Sequence, residues 1–159
     1  MTRASDILET ALSQGATVTA AESCTGGKVC AALTDLPGSS AIFQRGFVTY
    51  SNDAKIDMLG VRQATLDAHG AVSEEVAGEM ALGALQAAGA DVAVAISGIA
   101  GPGGSEFKPE GRVCYAIATA QVVRTETVEH GALGRDKVRD AATDHALQLI
   151  LDALSPSGR

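Results

Sequence analysis

The chain has 159 residues, 46% of them hydrophobic, which is enough to bury a core of ordinary domain size and is not the composition of a disordered segment. Acidic residues outnumber basic ones 19 to 12, a net charge of −7, so the basic footprint that nucleic-acid binding needs is missing. The start lacks the apolar core of a signal peptide and no apolar run approaches the roughly 20 residues of a membrane span, so a cytoplasmic protein without membrane contact is expected.

In chain order, Ser5 to Gln14 has a helix pattern, with Ser5 as N-cap, Ile7, Leu8, Ala11 and Leu12 on one face, and Gly15 as its stop. Val18 to Ala21 reads as a short strand and Gly27 to Thr34 as a helix. Leu36-Pro37-Gly38-Ser39-Ser40 reads as a turn, and Phe43 to Tyr50, rich in β formers, as a strand. Asn52 or Asp53 is expected to cap a short helix through Ile56, Met58 and Leu59 that Gly60 stops, and Gln63 to Ala68 is a second short helix. Ser73 to Ala88 is the clearest helix: a cap, acids in the first turn, and Val76, Met80, Leu82 and Leu85 as its apolar set. Val92 to Ile96 reads as a buried strand, followed by a Gly/Pro-rich loop to Gly111. Val113 to Ala120 and Gln121 to Glu129 read as adjacent strands, and Arg135 to Leu154 as a long final helix. Helices and strands mixed in this way predict an α/β layered domain with a mixed sheet. No linker divides the chain, so residues 1–155 are expected to form one domain and 156–159 a flexible tail. With aromatics at 3%, the small apolar side chains favour close packing of helix on sheet.

Three segments after β-like runs could carry chemistry. The first is Glu22-Ser23-Cys24-Thr25-Gly26-Gly27. A strand that ends in a Gly-rich turn and opens a helix presents N–H groups at a positive helix end, which suits an anion or the oxyanion of an acyl transfer. Ser23 is then a candidate nucleophile, and a serine needs a base. His69, His130 and His145 fall outside site-like segments and no Gly-x-Ser-x-Gly is present, so a Ser-His-Asp triad is poorly supported. Lys55 in the second segment is a better candidate base, provided burial or a nearby cation (Arg45 or Lys28) lowers its pKa from about 10.4 to about 7–8. Tyr50, five residues earlier, is a candidate relay or partner hydroxyl. In the third, Ser97 to Gly111, glycines 98, 101, 103 and 104 surround Pro102 and resemble the wall of a phosphate or ribose pocket. Without P-loop or Gly-x-Gly-x-x-Gly spacing, nucleoside triphosphate hydrolysis and dinucleotide binding are disfavoured. Gly134-Arg135-Asp136-Lys137-Val138-Arg139 sets cations at a helix start against the dipole, which fits an anionic partner or a solvated basic face equally. Cys24, Cys30 and Cys114 show no paired or metal-ligand spacing, so reduced thiols and no metal are expected. Singly, each segment also reads as an ordinary turn, an exposed helix lysine or a core aromatic.

Together the segments resemble the CinA C-terminal domain family, whose enzymatic members are nicotinamide-nucleotide amidohydrolases. The resemblance rests on Glu22 to Gly27, Leu36 to Ser40, Val48 to Lys55, Gly70 to Ser73, Gly98 to Pro102 and Gly134-Arg135, in order along nearly the whole chain. It implies a three-layer α/β/α domain and hydrolysis of the carboxamide of nicotinamide mononucleotide to nicotinic acid mononucleotide and ammonia, with no cofactor. It also implies Ser23 as nucleophile, Lys55 and Tyr50 as proton-handling partners, and backbone around Ser23 to Gly27 as oxyanion donor. Substrate contacts are expected from Cys24, Thr25, Gly26, Gly27, Arg45, Ser97, Gly98, Gly101, Gly104 and Arg135. The chain departs from the family pattern at Ser97, where Thr is common, at Arg45-Gly46, where Gly-Gly is usual, and at Glu110, which replaces an apolar residue. Glu110 sets a negative charge near a pocket expected to take phosphate. Two other classes fit the composition, a non-catalytic nucleotide- or partner-binding protein and an amidase for another small amide; a homo-oligomer is compatible with any of them.

Overall fold

A computed structural model describes residues 2–105 and 107–155. The expected tail at 156–159 lies outside the described residues. The elements are α1 (Arg3–Gln14), β1 (Val18–Glu22), α2 (Lys28–Leu33), β2 (Phe47–Val48), α3 (Asn52–Leu59), α4 (Gln63–His69), α5 (Glu74–Ala88), β3 (Val92–Gly98), β4 (Arg112–Ala118), β5 (Val123–Glu129) and α6 (Arg135–Leu154). The strands form one sheet in the order β2-β1-β3-β4-β5. β1 pairs in parallel with both β2 and β3, whereas β3–β4 and β4–β5 are antiparallel, so the sheet is mixed.

Alternation along the strands builds two unlike cores. On one face Val18, Val94, Ile96, Val113 and Tyr115 pack against Ile7, Val29, Val138, Leu147 and Ile150 of α1, α2 and α6. On the other, Ala21, Ala93, Ala95, Ala116 and Ala118 meet Val76, Met80, Ala81 and Ala84 of α5, flanked by Leu59 and Leu66. This is the three-layer α/β/α arrangement. The alanine face lets α5 lie close to the sheet, and α3 in turn lies close to α5: a Cβ on Gly83 would fall 2.0 Å from the Leu59 carbonyl oxygen.

Most elements fall where the sequence places them, with three corrections. α1 starts earlier: Thr2 is the N-cap, its Oγ1 accepting from the Ser5 amide at 3.1 Å while Ser5 Oγ accepts from the Thr2 amide at 2.8 Å. Ser5 is thus the return partner of a capping box. Ser51, not Asn52 or Asp53, caps α3, accepting from the Ala54 amide at 3.0 Å. The expected strand from Phe43 to Tyr50 shrinks to Phe47–Val48. Its first part leaves the ladder because the Ile42 and Phe43 amides both fold back onto the Ser39 carbonyl and Thr19 Oγ1 donates to the Arg45 carbonyl.

No helix of the described residues is long and apolar enough to cross a membrane.

Candidate active site

The three parallel strands β2, β1 and β3 end on the same edge of the sheet. Because the chain runs from β1 to one side and then returns to the other, a crevice opens at the carboxyl ends of these strands, where ligands of open α/β sheets bind. Residues at and after the strand ends line it: Ser23 and Cys24 after β1, Tyr50 and Asn52 after β2, Ser97 and Gly98 at the end of β3 and Ile99 to Ser105 after it. Arg135, the first residue of α6, adds a guanidinium, and the cleft encloses about 390 Å³. A larger hollow of about 680 Å³ between α1, α2 and α6 holds neither Ser23 nor Lys55, so chemistry and not size selects the site.

At the floor of the cleft Lys55 Nζ lies 2.9 Å from Ser23 Oγ and donates to the Thr49 carbonyl at 2.7 Å. Lys55 is 1% exposed, and burial pulls its amine down from the ordinary 10.5 to about 8, with a weaker opposing pull from the neighbouring Cys24. The neutral amine has one lone pair, so with an N–H on Thr49 it can accept the Ser23 hydroxyl proton. The cations considered as neighbours that could lower its pKa sit elsewhere: Lys28 pairs with Asp140 at 3.0 Å, and Arg45 lies beside Thr17, Val18 and Gln44 at the opposite end of β1. The expected substrate contact from Arg45 is therefore not brought to the cleft.

The turn that carries Ser23 is held from two directions. Glu22, 0% exposed, accepts from the amides of Gly27 and Val29 through Oε1 at 3.1 and 3.0 Å, and from Cys30 through Oε2 at 2.9 Å. The positive end of α2 is thus occupied by an internal carboxylate. The Gly26 amide is taken by the Ser23 carbonyl at 3.0 Å and that of Ser23 by Ile96 at 3.0 Å. This corrects the expected anion site at Gly26 and Gly27: of the amides after Ser23, those of Cys24 and Thr25 are the ones uncommitted to main chain or to Glu22 among the described residues. From the other direction Arg139 donates to the carbonyls of Cys24 and Thr25 at 3.0 and 3.1 Å. Those carbonyls are thereby held toward α6. The cations at the start of α6 thus find part of their partners in internal carbonyl oxygens. Thr25 itself is buried and lines no part of the cleft, its Oγ1 unpartnered among the described residues. Cys24 does line the cleft, but burial pushes its thiol up to about 11, so it stays protonated and is no rival nucleophile at neutral pH.

Tyr50 stands apart from this pair. Thr49 points into the protein and Tyr50 out, 60% exposed, and its hydroxyl accepts from Arg135 Nη2 at 2.7 Å. No hydrogen bond joins Tyr50 to Ser23 or Lys55 among the described residues, so the expected relay becomes a rim residue. Ser97, Gly98, Gly101 and Gly104 all line the cleft as expected. Ser97 Oγ donates to the Ala71 carbonyl at 2.8 Å, and Lys108 Nζ reaches the carbonyls of His69 and Val72 at 2.9 and 2.6 Å, which fastens the glycine loop to the chain before α5. None of the three histidines lines the cleft: His130 meets the Tyr115 hydroxyl at 2.6 Å, His145 pairs with Glu126, and His69 lies 3.7 Å from Glu75. Among the described residues no group of three or more His, Cys, Asp and Glu side chains could hold a metal ion.

A three-layer domain with a Ser–Lys pair at the carboxyl ends of its parallel strands is what the chain presents. It belongs to the CinA C-terminal domain family, whose sequence model matches residues 1–154. Nicotinamide-nucleotide amidohydrolase PncC of Escherichia coli strain K12 is 61% identical over 138 residues, 86% of this chain and 84% of that protein. A CinA-like protein of Mycolicibacterium gilvum strain PYR-GCK is 51% identical over 149 residues, 93% of this chain but 35% of its own length. The crystal structure of competence/damage inducible protein CihA from Agrobacterium tumefaciens superposes with a TM-score of 0.91 at 47% identity, over 96% of this chain and 93% of that one.

Proposed function

We propose that the chain is an amidohydrolase that converts nicotinamide mononucleotide to nicotinic acid mononucleotide and ammonia, with Ser23 as nucleophile and Lys55 as its base. The observation that carries this reading is the 2.9 Å contact between Ser23 Oγ and a buried lysine amine. The activity for which the Escherichia coli relative is named supplies the substrate class. Neutral Lys55 takes the Ser23 proton as Oγ attacks the carboxamide carbon, and the uncommitted amide of Cys24, which lines the cleft, receives the oxyanion. The resulting ammonium of Lys55 then protonates the leaving nitrogen, the C–N bond breaks and ammonia departs. Water attacks the acyl-enzyme, giving its proton to Lys55, and as the bond from the acyl carbon to Oγ breaks the Lys55 ammonium returns that proton to Ser23 Oγ, releasing the carboxylic acid product and restoring the neutral pair. Ser97, Gly98, Gly101 and Gly104 form the wall for the ribose and base, and Arg135 meets the phosphate. The reaction needs no cofactor. Residues 1–155 act as one catalytic domain, in the cytoplasm, as a step of pyridine nucleotide salvage.

Burial of Lys55 has a kinetic purpose in this scheme. A pKa of 10.5 would leave roughly 0.03% of the amine neutral at pH 7, whereas one near 8 leaves roughly a tenth, a gain of about 300-fold in competent enzyme. Ammonia release from nicotinamide mononucleotide, compared with free nicotinamide and other pyridine carboxamides, tests the substrate. The same assay across pH is expected to show kcat/KM rising about tenfold per unit and levelling off near pH 8, because protonation removes the base. A flat profile between pH 6 and 8, or equal turnover of the free carboxamides, counts against the reading.

A further inference from the structure

We propose that Glu110 sets how strongly the cleft takes the anionic end of its substrate, and that it opposes that end; this rests on the nucleotide amidohydrolase reading above. Glu110 follows the glycine loop, and its carboxylate bridges two elements, accepting from the Gly103 amide at 2.7 Å and from the Gly134 amide at 2.9 Å. Two converging main-chain donors of this kind are what an anionic group meets at a loop and helix start. Here a side chain of the protein already fills them. The carboxyl group packs directly on the loop that walls the cleft: a Cβ on Gly101 would lie 2.6 Å from Glu110 Cδ.

The cation of the cleft rim sits against the same loop. Arg135 donates to the Gly101 carbonyl and to the Tyr50 hydroxyl, both at 2.7 Å, and takes part in no ion pair among the described residues. Its charge is therefore directed but not neutralised by contact. The other cation of the cleft is Lys55, at the floor, which works as a neutral amine. An anionic substrate group approaching the rim thus meets one guanidinium charge and, fastened to the loop beside it, one carboxylate. The carboxylate offsets the attraction, and the cleft discriminates less sharply for a phosphorylated substrate than Arg135 alone would make it.

The test compares kcat/KM for nicotinamide mononucleotide and for nicotinamide riboside, which carries the same amide without the phosphate, in wild type, Glu110→Gln and Glu110→Asp. Glu110→Gln is expected to move the ratio about fivefold toward the phosphorylated substrate, through KM, with the effect shrinking in high salt. Glu110→Asp keeps the charge and is expected to hold the wild-type ratio; Glu110→Leu supplies a second neutral side chain should the amide loosen the loop. An unmoved ratio in the neutral variants, a move toward the riboside, or an equal move in Glu110→Asp overturns the role of Glu110 and leaves the amidohydrolase reading standing. No ammonia from either substrate with folded wild-type protein overturns that reading and this inference with it.

Discussion

Replacing Lys55 with methionine is expected to cut ammonia release at pH 7 by about a thousandfold or more, while the protein stays as stable as wild type or gains. The two effects have one origin. An amine 1% exposed whose pKa falls from 10.5 to about 8 is held at a cost of about 3 kcal/mol at neutral pH. Methionine fills the same channel without a charge, and the Thr49 carbonyl loses a donor worth about 1–2 kcal/mol. The sign follows from which state holds the proton: between pH 8 and 10.5 the unfolded chain is protonated at Lys55 and the folded one is not. The Lys55 contribution to stability is therefore poorest below pH 8 and improves as pH rises through that window. Urea midpoints of the two proteins at pH 7 and pH 10 should converge at the higher pH, which cancels the opposite trend of the buried thiols common to both. Ser23→Ala is expected to lose activity to the same degree, and the double variant little further. Substantial turnover by either folded single variant would sink the mechanism.

The second large effect is expected at Glu22, where Glu22→Ala should destabilise the protein by about 3–5 kcal/mol. The carboxylate, 0% exposed, serves the amides of Gly27 just before α2 and of Val29 and Cys30 within it, and alanine leaves all three without an acceptor. Glu22→Gln is a gentler probe: its carbonyl can still serve Gly27 and Val29, but an NH₂ now faces the Cys30 amide. That variant should fold with a smaller loss and show a lower kcat, since the turn holding Ser23 begins at the next residue. Thermal unfolding and kcat measured on the same preparations check both. An alanine variant within 1 kcal/mol of wild type would show that α2 is held by packing alone.

Ser23, Lys55 and the glycine loop were legible in the sequence because each sits in a recurring string of residues, and α6 runs between the expected bounds, Arg135 and Leu154. Glu22, Thr49 and Arg139 were not, since each acts on main-chain atoms that come near only after folding: Arg139 is 115 residues from the Cys24 carbonyl it holds. Residue type hints at a carboxylate or guanidinium but says nothing of such partners. Glu110 was visible as a charge out of keeping with its surroundings, though not as the bridge between loop and helix. Tyr50 misled for a geometric reason, because adjacent residues leaving a strand point opposite ways, and Thr49 took the inward place. The overlong second strand had the same root: β formers from Phe43 onward describe a preference that the turn at Ser39 and the Arg45 contact override.

The alanine face of the sheet has a mechanical meaning beyond close packing. α5 rests on Ala93, Ala95 and Ala116, and α3, which carries Lys55, is seated on α5 through the gap left by Gly83. The methyl groups therefore act as a shim between the strand end that bears the serine and the helix that bears the amine. Thickening the shim by one or two carbons, at residues that touch no substrate, would lift α3 and open the 2.9 Å gap on which proton transfer depends. In this fold the spacing of the two reacting atoms is written into the smallest side chains of the core.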